Sequence, residues 1–355
     1  MPQAKFFLGA NSPEGFVSLF SDCYSAALGW HTYIIKGGPG TGKSTLMKRV
    51  AEHFLKRGEE CVLCPCSSDP SSLDGVIFPK KRVALLDGTA PHIVEPKLPG
   101  AAEEIINLGD CWQTAKLIEA RAEIIEKTNA NRLYHKKASN YISAAGVIAR
   151  DIKETALSAA SKNKAKLFGK NLLKKYLPKK EGEPIIWRRF LSGITPRGLV
   201  FYRSTIENFY ETRVLISDPF GAIAPIILRE ISEGISKSGY EAIICACPLD
   251  PSKTEHILVP ELGLYFGTLN RYLDPTPTER VIHARRFMDM RAIHEERGRI
   301  KASRRLLSEL IDLASDALSN AKFCHDELEA YYIAAMDREK LKQKTEDAIK
   351  AISNL

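Results

Sequence analysis

His31-Thr-Tyr-Ile-Ile-Lys36, Gly37-Gly-Pro-Gly-Thr-Gly-Lys-Ser44 and Thr45-Leu-Met-Lys-Arg-Val-Ala-Glu-His-Phe-Leu55 follow one another without a break. The first run is apolar and β-branched and reads as a buried strand. The third spaces its apolar residues as a helix does. Between them lies GxxxxGK[ST], and strand, glycine loop and helix in that order are the setting of a phosphate loop. Gly37, Gly38, Gly40 and Gly42, with Pro39 and Thr41 between them, let successive backbone N–H groups turn inward around a phosphate. The helix N-terminus at Ser44 and Thr45 adds its positive end. Lys43 is placed to bridge a β- and a γ-phosphate, and the Ser44 hydroxyl to take one Mg²⁺ position. ATP is the expected nucleotide, because no guanine-reading NKxD pattern occurs.

The metal needs a second oxygen ligand on a nearby strand. Arg82-Val-Ala-Leu-Leu-Asp87 has the form of a Walker B strand, four apolar residues ending in an acid. Lys43 and Asp87 are therefore the expected catalytic pair, with Ser44 and Asp87 on the Mg²⁺. Gly88 follows where many ATPase motors carry a glutamate base. The base must come from elsewhere, or hydrolysis is slow.

Other stretches of the chain repeat one another. At a constant offset of 181, Cys64, Cys66, Asp69, Pro70, Ser71 and Pro79 recur as Cys245, Cys247, Asp250, Pro251, Ser252 and Pro260. That is six identities in 19 positions, where average composition gives about one. Phe7-Leu-Gly-Ala-Asn-Ser-Pro-Glu-Gly15 likewise matches Phe190-Leu-Ser-Gly-Ile-Thr-Pro-Arg-Gly198 at offset 183. In both, the Ser/Thr-Pro pair is expected to open a helix as N-cap and first-turn residue. The expected division is 1–183, with the intact motifs, and 184–355, a degenerate copy. In the copy the loop falls on Asp218-Pro-Phe-Gly-Ala-Ile-Ala-Pro225, which keeps only Gly221. Ala224 replaces Lys43, Pro225 replaces Ser44 and Thr268 replaces Asp87, so the second half is expected to bind no nucleotide.

Alternating strand and helix patterns in each half predict an α/β protein: a tandem-duplicated P-loop NTPase fold, a mostly parallel sheet flanked by helices. Helix-favouring runs within 112–177 and 277–354 predict long helical extensions. Ligand then sits at the carboxyl ends of the strands, which brings Asp69 and Asp74 into range as a substrate contact or base. Thr89 is placed to sense a γ-phosphate and His92 to lie at the rim. Arg188, Arg189, Arg197, Arg203 and Arg213 of the second half are the candidates for a reaching arginine.

Composition bounds the rest. The 355 residues suffice for two domains, and 44% hydrophobic with 26% charged content is that of a globular protein. No run of roughly 18 apolar residues predicts a membrane span, and the N-terminus lacks the apolar length of a secretory signal. Eight cysteines without such a signal predict reduced thiols and a cytoplasmic location. Cys61, Cys64 and Cys66 are expected to be buried strand-end thiols rather than metal ligands. The net charge of +8 is concentrated: Lys162, Lys164, Lys166, Lys170, Lys174, Lys175, Lys179 and Lys180 fall within 161–180, which holds no acid. That segment predicts a basic amphipathic helix, either a solvated face or a contact for nucleic acid or an anionic surface.

GGPGTGKST at 37–45, CSSDPSSLDGVIFP at 66–79, LLDGTAPH at 85–92 and EEIINLGD at 103–110 together resemble a bacterial, Firmicutes-type family of P-loop ATPases built from two tandem nucleotide-binding halves. The resemblance spans most of the chain and implies an ATPase-like nucleotide-binding fold, without an established physiological role. The expected activity is a Mg²⁺-dependent ATPase acting as switch or remodeller. The alternatives are a P-loop kinase for a small molecule, with Asp69 or Asp74 orienting the acceptor, and a nucleotide-gated protein that binds nucleic acid or membrane.

Overall fold

The computed structural model describes residues 3–269 and 279–355. Its first half runs β1 (Ala4–Lys5), β2 (Gly9–Ser12), β3 (Gly15–Ser18), β4 (His31–Lys36), α1 (Lys43–Leu55), β5 (Val62–Pro65), β6 (Leu73–Phe78), β7 (Val83–Asp87), β8 (Glu103–Asn107), α2 (Thr114–Glu119), α3 (Arg121–Ser158) and α4 (Lys162–Tyr176). The second runs β9 (Ile185–Arg189), β10 (Ser192–Thr195), β11 (Gly198–Phe201), α5 (Arg203–Phe209), β12 (Thr212–Ser217), α6 (Ala224–Ile235), β13 (Glu241–Cys247), β14 (Asp250–Val259), β15 (Leu264–Leu269), β16 (Arg280–His283), α7 (Met290–Glu295), α8 (Arg297–Ala335) and α9 (Arg338–Ser353).

Among the described residues each half forms a six-stranded sheet, ordered β1-β5-β6-β7-β4-β8 and β9-β13-β14-β15-β12-β16. The register agrees as well as the order. Ile35 pairs with Asp87 in the first sheet and Ile216 with Thr268 in the second, both members 181 residues later. Each sheet is mixed, with β5–β6–β7 and β13–β14–β15 running antiparallel. This corrects the expected strand–helix alternation after the second core strand. Seven residues join β5 to β6 and four join β6 to β7, and a parallel crossover needs about a dozen or more. A second correction concerns Ser12-Pro13 and Thr195-Pro196. Both open hairpin turns, not helices, closing on Gly15 and Gly198 at φ +105° and +86°. The Ser12 and Thr195 hydroxyls donate to those glycine carbonyls.

Strand side chains alternate between two cores. Ile34, Cys64, Leu86, Leu215, Cys245 and Tyr265 belong to one cluster in which the two sheets meet face to face. Their neighbours Tyr33, Ile35, Val83 and Leu85 point outward to α1 and α9, and the corresponding residues of the second sheet to α6 and α4. With both faces covered, the strands are near-continuous apolar runs. A bridge between Phe7 and Phe190 joins the halves, each N–H donating to the other's carbonyl at 2.8 and 2.9 Å. The long helices α3 and α8 pack against one another antiparallel, tied by Lys127–Glu327 at one end and Arg299–Asp151 at the other. Beyond them the chain crosses over. Helix α4, from the first half, lies on α6 of the second through Ala165 and Leu172. Helix α9, from the second, lies on α1 of the first through Ala348 and Ile352. No described helix is long and apolar enough to cross a membrane.

Candidate functional site

The loop 37–42 leaves β4 at the carboxyl end of the sheet and enters α1 at Lys43. Gly40 and Gly42 adopt φ +63° and +86°, left-handed values that a side chain strains. These two turns wrap the loop around the Lys43 side chain, whose ammonium donates to the Gly37 and Gly38 carbonyls at 3.1 and 2.8 Å. Asp87, at the end of the adjacent parallel strand β7, lies 3.7 Å from that ammonium. The Ser44 hydroxyl accepts from Leu73 N–H at 3.0 Å, at the start of β6. Lys43, Ser44 and Asp87 are thus brought to one end of the sheet. The first N–H groups of α1 have no intrahelical acceptor.

The far side of the loop is covered by the other half, which the sequence did not reveal. Gly40 N–H donates to Glu329 Oε1 of α8 at 3.1 Å. A Cβ at Gly40 would sit 2.7 Å from the Glu329 carbonyl, one at Gly38 would meet the Tyr332 ring, and one at Gly42 would meet Leu341 of α9. The glycines therefore also let two helices approach the backbone. A carboxylate oxygen already rests on a loop amide.

Asp74 and His92 converge on Asp87. His92 is 6% exposed rather than at the rim, its ring stacked on Phe20 with centroids 4.4 Å apart and planes 7° apart. Its Nε2 lies 3.9 Å from Asp74 Oδ1 and 4.0 Å from Asp87 Oδ1. Burial pushes Asp74 up to about 7, with the Asp87 charge adding to the rise and the Cys66 thiol and Lys43 opposing it. Burial pushes His92 down to about 4. Thr89 donates from both its N–H and its hydroxyl to Asp87 Oδ1. Asp69 sits apart, bonded to Ser71 and Ser72 and facing Lys322 of α8 at 3.8 Å.

The second half's loop is closed by its own residue. Asp218 Oδ2 accepts from Ile223 N–H at 2.6 Å and Ala224 N–H at 2.8 Å, and Oδ1 from Phe220 N–H at 3.2 Å. Gly221 keeps φ +64°, matching Gly40. The carboxylate takes the amides that an anion would use.

Four of the five arginine candidates are engaged elsewhere. Arg213 pairs with Glu279, Arg203 with Glu207 of its own helix, and Arg188 faces Asp22. Arg189 is buried over the Phe6 ring, while Arg197 stands exposed on the hairpin turn, where its backbone N–H donates to the Thr195 hydroxyl. Cys61, Cys64, Cys245 and Cys247 are buried free thiols and Cys66 is half-buried. On α4, Ala165, Gly169 and Leu172 are buried, while Lys170 stays exposed and lies 3.9 Å from Glu230 of α6. No protein-family model, curated protein or solved structure matches the chain.

Proposed function

We propose that the chain is an ATP-binding protein whose first half holds one MgATP and hydrolyses it, acting as a switch or remodeller. The observation that carries this reading is the left-handed turn of Gly40 and Gly42 around Lys43, with Asp87 beside the ammonium. Bound MgATP supplies the transferable phosphoryl group and a cation that spreads its charge. Lys43 would move from the loop carbonyls onto the β- and γ-phosphates, and Ser44 and Asp87 would offer oxygens to the metal. Glu329 would leave Gly40 N–H as the phosphates arrive, which links nucleotide binding to the α8 helix. The common strand order, the shared 181-residue register and the exchanged helices support a tandem duplication. Membership of the tandem P-loop ATPase family rests on the motif resemblance.

The kinase alternative gains nothing here. Asp74 is enclosed with Asp87 and His92, and Asp69 is occupied by two serines and Lys322. The polyanion-binding alternative would use the exposed lysines of α4. Calorimetric titration with MgATP tests the main proposal. One nucleotide per chain is expected, with heat lost in Lys43→Ala because the variant lacks the cation that faces the phosphates. Wild-type affinity in Lys43→Ala, or a stoichiometry near two, would refute it.

A further inference from the structure

Asp74 stands on β6, Asp87 ends β7, and His92 lies on the loop that follows. Each offers one ligand atom, and the three atoms lie within 4.8 Å of one another, all on buried residues. The histidine is the telling member. Neither Nδ1 nor Nε2 has a hydrogen-bond partner, although the side chain is 6% exposed. A buried polar group left without a partner costs about 1–3 kcal/mol. Phe20 stacks on the ring and holds its Nε2 toward the two carboxylates. The carboxylates are themselves an unfavourable buried pair, and the nearby ammonium of Lys43 lies against Asp87 only at 3.7 Å.

We propose that Asp74, Asp87 and His92 form a divalent-metal site that fills without nucleotide and selects a metal of borderline softness, such as Mn²⁺, Co²⁺ or Zn²⁺, over Mg²⁺. One cation gives the orphan imidazole a partner and neutralises both acids at once. The nitrogen ligand sets the preference. Imidazole suits first-row transition metals, whereas Mg²⁺ demands an all-oxygen octahedron and dehydrates reluctantly. Around a metal with bonds near 2.1 Å, tetrahedral ligands stand about 3.4 Å apart. The imidazole-to-carboxylate separations of 3.9 and 4.0 Å therefore need to close by roughly half an ångström, and the carboxylate pair, within 4.8 Å, by up to about 1.4 Å. Three protein ligands leave positions open to water, the pattern of reactive metal sites rather than closed structural ones.

The site requires no bound nucleotide, so it can be tested apart from ATP binding. The full chain, freed of metal by chelation, is titrated with Mn²⁺ while continuous-wave EPR follows the free ion. One Mn²⁺ per chain is expected, displaced by stoichiometric Zn²⁺ but not by a hundredfold excess of Mg²⁺. Pulsed EPR of the bound Mn²⁺ should show a directly coordinated imidazole nitrogen in the wild type, which needs no variant to fold. His92→Gln should weaken Mn²⁺ at least tenfold and remove the nitrogen coupling. Absence of Mn²⁺ binding below millimolar concentration, bound Mn²⁺ without nitrogen coupling, or unchanged affinity in His92→Gln would each overturn the site. A chain that takes MgATP but no Mn²⁺ removes this inference alone. One that takes Mn²⁺ but no nucleotide removes the phosphate-loop reading alone.

Discussion

Glu329 holds Gly40 N–H, the donor that the proposed nucleotide would need for a phosphate. Glu329 is partly exposed and braced by His325 at 3.4 Å, so its hold is modest and removable. Glu329→Gln keeps the shape and loses the charge that opposes a triphosphate. It is expected to bind MgATP roughly threefold to tenfold tighter, since hydrogen bonds to charged groups contribute about 1.5–3 kcal/mol and partial exposure discounts that figure. Calorimetry alongside the wild type checks it, and a weaker variant would mean that Glu329 helps to hold the nucleotide. In the second half one residue makes the opposite choice, Asp218 standing where Gly37 stands in the first. Asp218→Ala strands three backbone donors beside a residue that is 5% exposed. A loss of about 2 kcal/mol is expected, read as a lower urea midpoint at unchanged slope. Added inorganic phosphate should recover part of it, because it restores an anion to those amides.

At the scale of elements, legibility followed periodicity. Strand β4, helix α1 and strand β7 fell where apolar spacing put them, because burial on both faces of a strand and one face of a helix leaves a pattern in the sequence itself. Ser12-Pro13 and Thr195-Pro196 were misread because the same pair suits a helix start and a turn; the glycines two residues on, at positive φ, decide for the turn. Strand β6 went unread because its six buried residues include Asp74 and Gly75, which break the apolar run. His92 lies on a loop without period, and its burial depends on Phe20, some 70 residues away in the chain. Distance along the sequence likewise hid Glu329 and Tyr332 from the glycine loop. Helix α4 was legible as basic and amphipathic, but not which half it covers. Its apolar side rests on α6 and its lysines are exposed, Lys170 alone of the four below reaching α6, at 3.9 Å from Glu230. Replacing Lys170, Lys174, Lys175 and Lys179 with Gln is expected to leave MgATP affinity and the melting temperature unchanged. The same change should flatten the salt dependence of any retention on DNA or anionic vesicles. A fall in melting temperature would show that the lysine stems brace the α4–α6 contact.

At the scale of the whole molecule, each half is completed by the other's last helix. Ile352 is fully buried among Leu46, Val50 and Phe54, near the opposite end of the sequence. Ile352→Ala is expected to cost about 3 kcal/mol. Hydrogen exchange should place the loss in β4, α1 and β7, with the second sheet spared. Equal deprotection of both sheets would instead indicate a single cooperative unit. The exchange also sets an order of events during synthesis. Helix α1 leaves the ribosome long before α9, since Leu55 and Arg338 are 283 residues apart. At about 5–20 residues per second the interval is roughly 15 to 60 s. Throughout it α1 packs on its own sheet but the side chains that will meet Ala348 and Ile352 of α9 lie uncovered, and a nascent chain in that condition is a client for chaperones that shield exposed apolar surface. The half that carries the glycine loop 37–42 is therefore the first to be made and the last to be closed.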